Sequence, residues 1–426
     1  MNKVTVLGYG ISARSTIDFF LANEPELQLR VSELKPRENF DGIEAYEAQG
    51  VQFEFGQQSL GFIKADFVMV SPGIPPHAPI IQQLRESGVN MGTDLDLFMQ
   101  LVPGKVLAVT GTNGKTTTAS LLAHLFDTQA LGNIGLPLLE FAKLENQEIF
   151  VLELSSAQIF YSQLLKPVDC SIYLNFSDDH LDWHKDLDEY REAKARLFKH
   201  DGLLVLNQDD ATCKSLASAN SKFFSTEAVT DAYYKDGALY LAGSELISCD
   251  DLKLVGKHNY SNILAAVLAA SNSRLDRETI KTRLQSFEPV PHRLEYIATV
   301  NGHKCYNDSK ATNPDSAIRA LEAFDRSIAI VGGKNKNLDL SEFIKVLEQK
   351  AERVIAIGEI KAQFSIAKQV ETLEQAVELA ISHDSNLPIV LAPASSSFDM
   401  FSSYQERGDE FKRLVYNGVS ASCSSN

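Results

Sequence analysis

Positive charge is scarce in this chain. Its 426 residues carry 40 Lys and Arg against 56 Asp and Glu, a net charge of −16 with histidine neutral. That balance argues against nucleic acid as a partner, because phosphate backbones are bound by basic surface. Long apolar runs are missing too. The longest, residues 263–270, falls far short of the roughly 20 residues a membrane-spanning helix needs. Cysteine is sparse and unpatterned: Cys170, Cys213, Cys249, Cys305 and Cys423 are odd in number, scattered, and form no Cys-x-x-Cys. They read as free thiols in a reducing compartment. The one tryptophan, Trp183, reads as packing rather than chemistry, and no short repeat is evident. The opening residues look like a strand and not a secretory leader. The expectation is a cytoplasmic protein with no membrane and no nucleic-acid partner.

What is present is an ordinary soluble composition, 44% hydrophobic and 23% charged, in a chain too long for one core. Two or three domains are expected, and three α/β blocks can be traced. Residues 1–93 open with a strand, a Gly-Tyr-Gly turn and a helix. Residues 94–288 contain a second Gly-rich turn and three later apolar strands. Residues 289–426 alternate apolar strands with helices predicted at 315–324, 341–350 and 374–382. Continuous apolar strands alternating with amphipathic helices indicate parallel sheets covered on both faces. The small, polar end of the chain, 420–426, reads as a disordered tail.

The densest signal is at 105–118. An apolar strand runs into Gly111, Thr112, Asn113 and Gly114, then Lys115, Thr116 and Thr117, and leucine spacing continues it as a helix. Glycines let backbone N–H groups wrap a polyphosphate, the lysine neutralises outer phosphates, and the first threonine suits Mg²⁺. Val109 stands where the strict pattern has its first glycine. Glu153 ends a following strand, where a carboxylate can hold Mg²⁺ beside Thr116. His180 and His184, among Asp178, Asp179 and Asp182, admit two readings: a transition-metal site, or a polar loop without the His-Glu-x-x-His order. Gly8, Gly10 and Ala13 with Glu33 match a dinucleotide-type turn, which alone would suggest a dehydrogenase. Lys194 looks like a solvated helix lysine, and His258, Asn259 and Asn262 look like helix-start residues. Asn313 before Pro314 predicts a helix cap. Asp308, Lys310 and Thr312 form a polar group with no evident structural need, and Lys334 and Lys336 follow a buried strand at a sheet's carboxyl edge.

Ten motifs in order resemble the Mur ligase family. They include TGTNGKTT, LELSSAQ, DDHLD, YREAK, GKHNYSN, PHRLE, YNDSKATN and GGKNK. The resemblance implies three domains: a UDP-binding Rossmann-like unit (1–93), a central ATPase (94–288) and a Rossmann-like unit that closes over the site (289–426). It implies ATP-dependent addition of D-glutamate to UDP-N-acetylmuramoyl-L-alanine through an acyl phosphate, by a monomer. By motif position, Lys115 meets the transferred phosphoryl group. Thr116 and Glu153 hold one Mg²⁺, while His180 and a CO2-derived carbamate on Lys194 hold a second. Residues 111–117 with Asn259, Arg293 and Asp308 match ATP contacts. Gly10, Ile11, Ser12, Glu33, Leu34, Gly73, Asn133 and Gln158 match the UDP-substrate site. Thr312, Lys336, Ser397, Phe398 and Tyr404 match the amino-acid site. The chain departs from the family at Leu34 and Lys35, where Thr and Arg are common, and at Phe398 and Tyr404, where Leu and Phe are usual. Rival readings are a relative that adds another amino acid, such as L-glutamate, and a nucleotide-binding dehydrogenase.

Overall fold

The computed structural model describes residues 2–134, 137–141, 147–164, 168–181, 183–334 and 339–424, with backbone alone beyond 418. Strands β1 (Lys3–Leu7), β2 (Gln28–Glu33), β3 (Gln52–Phe55), β4 (Phe67–Val70) and β5 (Met91–Gly92) form a first sheet in the order β3-β2-β1-β4-β5. Every pairing in it is parallel. The order reverses beside β1, so a crevice opens at the carboxyl ends of β1 and β4, where ligands of such sheets bind.

β6 (Lys105–Thr110), β7 (Ala130–Gly132), β8 (Ile149–Glu153), β9 (Cys170–Tyr173), β10 (Leu203–Asn207) and β11 (Ser221–Ser225) form the parallel part of a second sheet. Its order is β11-β10-β9-β6-β8-β7. β6 lies between β8 and β9 in parallel register. The segments leaving β6, β8 and β9 therefore emerge side by side. β12 (Ala232–Lys235), β13 (Ala238–Leu241) and β14 (Ser244–Ser248) follow in chain order.

The third sheet contains β15 (Glu295–Val300), β16 (His303–Asn307), β17 (Ser327–Gly332), β18 (Ala351–Ile357), β19 (Lys368–Gln369) and β20 (Ile389–Leu391), in the order β15-β16-β20-β17-β18-β19. β15 and β16 are an antiparallel hairpin and the other pairs are parallel. That hairpin departs from the all-parallel expectation. A two-residue turn at Asn301 and Gly302, both at positive φ, joins the strands directly and leaves no room for a crossover helix. Helices Pro314–Glu322, Ser341–Lys350 and Leu373–Ile381 lie close to their predicted spans. The Asn313 side chain caps the first by accepting the Ser316 amide at 2.8 Å, with Pro314 in the first turn. The end read as a tail instead continues helix Tyr404–Ser424, since no glycine or proline follows Gly418 to break it.

Packing divides the chain into two compact bodies: Met1–Tyr233 with Leu241–Gly243 and Leu264–Ile280, and Tyr234–Tyr240 with Ser244–Ile263 and Lys281–Asn426. The first sheet and the parallel strands β6–β11 of the second share the first body. They also share a core, in which Tyr161 packs with Leu7, Val68, Val70, Ile80 and Ile81.

Candidate active site

The phosphate loop leaves β6 and enters helix Lys115–Leu125. Gly114 caps that helix at φ +83°, a left-handed conformation that favours glycine. The segment after β9 holds the loop in shape. The Thr112 amide donates to the Asn175 carbonyl at 3.0 Å, and the Asn113 amide donates to Asn175 Oδ1 at 2.8 Å. The Ser177 amide donates to Thr112 Oγ1 at 3.0 Å. Thr116 and Thr117 are buried in the first helical turn. Lys115 Nζ folds over the loop, donating to the carbonyls of Gly111 at 2.9 Å and Thr112 at 2.8 Å. A preformed loop of this kind offers backbone dipoles and one mobile cation to a phosphate chain.

Glu153 ends β8 opposite Val109 of β6, beside the loop. Its Oε1 accepts from Asn133 Nδ2 at 2.8 Å, while its buried Oε2 has no hydrogen-bond partner among the described residues. Gly132 makes this fit possible: a Cβ there would lie 2.5 Å from the Glu153 carbonyl oxygen. A buried carboxylate oxygen without a protein donor suits a hard cation.

Lys194, on helix Leu187–Ala195, is 1% exposed. Its Nζ donates to the Gly111 carbonyl at 2.7 Å, the same oxygen that Lys115 uses, and lies 4.7 Å from the Tyr190 ring centroid. Burial first, and the nearby Lys115 charge second, push its pKa well below the usual lysine range and so disfavour the charged form. This is not the solvated helix lysine its spacing suggested. Tyr190, unassigned from sequence, is a hub: its hydroxyl is 3.2 Å from Thr112 Oγ1 and its ring meets those of His180 and His184.

The two histidines diverge, which removes the reading that joins them in one metal site. His180 has φ +56° and a half-exposed ring, 3.7 Å from Asp179. His184 is buried, with Nε2 2.9 Å from Ser156 Oγ, and burial lowers its pKa to about 4. Among the described residues no group of three or more His, Cys, Asp and Glu side chains is arranged to hold a metal ion. Any cation here therefore draws on at most two such side chains at once, with hydroxyl, phosphate or modified groups completing its ligands.

At the first sheet's crevice, the Glu33 carboxylate accepts the Tyr9 amide and the Lys35 amide, each at 2.9 Å. Gly10 caps helix Ile11–Asn23. Ile11, which opens that helix, and Leu34, which follows β2, are 71% and 60% exposed, large apolar groups open to a ligand. The Ser12 hydroxyl bonds to the buried Asp94, whose pKa burial raises to about 6. Gly73 lies in the turn after β4. Asn133 is engaged with Glu153, and Gln158 closes a capping box with Ser155 at the start of helix Ser156–Tyr161.

In the second body, the loops after β16 and β20 are tied together. Arg407, to which the sequence assigned no role, is fully buried. It donates to Ser309 Oγ at 3.0 Å and to the carbonyls of Ser309 at 2.8 Å and Ser395 at 3.1 Å. Ser397 is buried beside them in sequence, and its hydroxyl has no hydrogen-bond partner among the described residues. Lys310 Nζ donates to the Tyr404 hydroxyl at 2.9 Å, so this polar group does have a structural engagement. Asp308 accepts the Leu294 amide at 3.1 Å. Burial raises its pKa to about 7 against the opposing charge of Arg293. Asn259 donates to the Val255 carbonyl at 2.8 Å in the first turn of helix Lys257–Asn272. Thr312 bonds locally through its amide to Lys310, and Phe398 is exposed. Lys336 lies outside the described residues.

Three family models match in chain order: the Mur ligase MurD-like N-terminal domain over 2–92, the Mur ligase middle domain over 109–270, and the Mur ligase glutamate ligase domain over 292–394. The UDP-N-acetylmuramoylalanine–D-glutamate ligase of Koribacter versatilis is 35% identical and aligns over 97% of both chains. The chain belongs to the Mur ligase family. The same-named ligases of Acidobacterium capsulatum and Pasteurella multocida are 35% and 32% identical to this Mur ligase, each over 97% of it. Among solved structures, the pseudomurein peptide ligase type C of Methanothermus fervidus aligns with it at TM-score 0.61 and 18% identity, over 98% of this chain and all of that one. The MurF ligase of Thermotoga maritima, solved with ADP, gives 0.61 at 17% identity, over 92% of this chain and 95% of that one. These structures share the three-domain α/β fold of the Mur ligases, with mostly parallel sheets.

Proposed function

We propose that this chain joins D-glutamate to UDP-N-acetylmuramoyl-L-alanine, consuming ATP and releasing ADP and phosphate, in peptidoglycan precursor synthesis. The near-full-length likeness to ligases of that name supports the substrates. The observation that carries the chemistry is the preformed phosphate loop, with the uncommitted Glu153 oxygen and the buried Lys194 amine beside it. The protein works as a cytoplasmic monomer. Residues 1–93 take the UDP moiety, with Gly10, Ile11, Ser12, Glu33, Leu34 and Gly73 lining the crevice; Asn133 and Gln158 contact the sugar side. Residues 94–288 take ATP, and 289–426 bring the amino acid.

A carboxylate is a poor acyl donor, and phosphorylation gives it a leaving group. The alanine carboxylate attacks the ATP γ-phosphorus, ADP leaves, and the amine of glutamate displaces phosphate from the acyl phosphate with loss of a proton. Lys115 swings from the Gly111 and Thr112 carbonyls to the transferring group, where a fixed charge stabilises the developing negative charge. Asn259, Arg293 and Asp308 contact the nucleotide. Thr312, Lys336 and Ser397 bind the glutamate carboxylates, with Phe398 and Tyr404 as the pocket wall.

Two Mg²⁺ ions would be held here, one by Thr116 and Glu153 and the other by His180 with a carbamate on Lys194. When bound, they neutralise phosphate charge. A neutral amine is the form that adds CO2 and gives up a proton, so burial of Lys194 supports this modification. An isotope test follows. With ¹⁸O in the alanine carboxylate, one labelled oxygen should appear in each released phosphate. Unlabelled phosphate alongside ligated product would refute the acyl phosphate.

A further inference from the structure

Two side chains of the second sheet's segments grip the turn after β4. Trp183 donates its indole N–H to the Pro72 carbonyl at 2.9 Å. Tyr161 donates its hydroxyl to the Ile74 carbonyl at 2.7 Å. Gly73 lies between these two acceptors. Tyr161 ends helix Ser156–Tyr161, which starts just after Glu153, whereas Trp183 sits in the loop of His180.

The Trp183 backbone amide donates to the His180 carbonyl at 3.1 Å, and the His184 amide donates to the same oxygen at 2.9 Å. His180 is thus held at φ +56°, a conformation that a non-glycine residue keeps only when its surroundings impose it. The indole itself is boxed by the rings of His184 at 4.4 Å, Phe160 at 5.5 Å and Tyr161 at 5.7 Å. It has little freedom to rotate independently. Packing alone would not require an indole N–H aimed at one carbonyl of the turn and a phenol aimed at another.

We propose that Trp183 is a positioning residue that couples binding of the UDP-sugar substrate at the turn containing Gly73 to binding of the divalent cation at His180. The inference rests on the substrate and metal roles assigned to those two residues. A displacement of the Pro72 carbonyl by substrate passes through the boxed indole to the backbone at 183, and so to the hydrogen bond that holds His180. Coupling between two sites is reciprocal, so cation binding tightens substrate by the same factor. One hydrogen bond gained in the coupled state corresponds to about a two- to tenfold effect.

Calorimetric titration of the full chain with UDP-N-acetylmuramoyl-L-alanine tests this, with and without saturating Mg²⁺ and a non-hydrolysable ATP analogue. In the parent, the substrate Kd should tighten by about two- to tenfold when both are present. Trp183→Phe keeps an aromatic body and removes the donor; its two Kd values should agree closely. Tyr161→Phe should weaken substrate in both conditions and leave the ratio intact, because its bond does not lead to His180. Trp183 is the chain's one tryptophan, so adding substrate to the unmodified protein should also shift its fluorescence. Parent-like tightening in Trp183→Phe, or substrate binding by the parent with neither tightening nor a fluorescence change, overturns the coupling. A parent that binds no UDP-sugar under either condition overturns the substrate reading itself.

Discussion

Replacing Lys194 separates a metal-ligand precursor from a simple buried cation. The side chain is 1% exposed, bonds to the Gly111 carbonyl at 2.7 Å and has its pKa pushed well down by burial. Lys194→Met is close in length and volume and removes one hydrogen bond while relieving a buried amine. Its effect on stability should stay within about 1.5 kcal/mol. Its kcat, measured by phosphate release, should fall by on the order of 10² to 10³, or about 3–4 kcal/mol of transition-state stabilisation. Lys194→Arg cannot shed its proton in that site, so it should lose as much activity and also cost about 3 kcal/mol or more of stability. Two further readouts follow from the carbamate. Parent activity should decline in CO2-depleted buffer and return with bicarbonate, and Lys194→Met should ignore bicarbonate but recover partly with a small carboxylic acid. An arginine variant as active as the parent would refute the reasoning, since a guanidinium can supply neither a neutral amine nor an anionic oxygen.

Lys115→Ala should fold normally and lower kcat by on the order of 10² or more, checked by steady-state phosphate release alongside a melting curve. Lys336→Ala should raise the KM for glutamate far more than the KM for ATP, with a loss of about 2–5 kcal/mol in recognition of the charged carboxylate; equal losses would indicate a structural role. Asp308 has a folded pKa raised to about 7, so its stabilising contribution is complete below pH 4 and disappears as pH rises through 7. Asp308→Asn should therefore flatten the fall in stability between pH 5 and pH 8, by at most about 3 kcal/mol, as read from urea unfolding at the two pH values.

The elements that sequence reveals here are local. The phosphate loop, the strands around it and the Asn313 cap follow from residue types a few positions apart, and the three sheets follow from the strand–helix alternation. Lys194 was misread because its burial is made by a loop 83 residues earlier, not by the periodicity of its own helix. Arg407 was missed for the same reason: its partners lie at Ser309 and Ser395, on loops that only the third sheet brings together. Trp183 did read as packing, but the carbonyl it reaches belongs to the first sheet. Between His180 and His184, four apart in sequence, only backbone geometry decides: a left-handed φ turns one ring toward solvent while the other enters the core.

The central claim is amino-acid choice by a carboxylate-activating ligase. Phosphate release should be measured with ATP, Mg²⁺ and UDP-N-acetylmuramoyl-L-alanine against a panel of D- and L-amino acids, with the nucleotide product identified by mass. The account predicts turnover with D-glutamate, a product heavier by one glutamyl residue, and little or no release with L-glutamate or with the acceptor absent. Equal or better turnover with another amino acid would contradict the acceptor assignment, and no ATP-dependent product from any acceptor would contradict the activity.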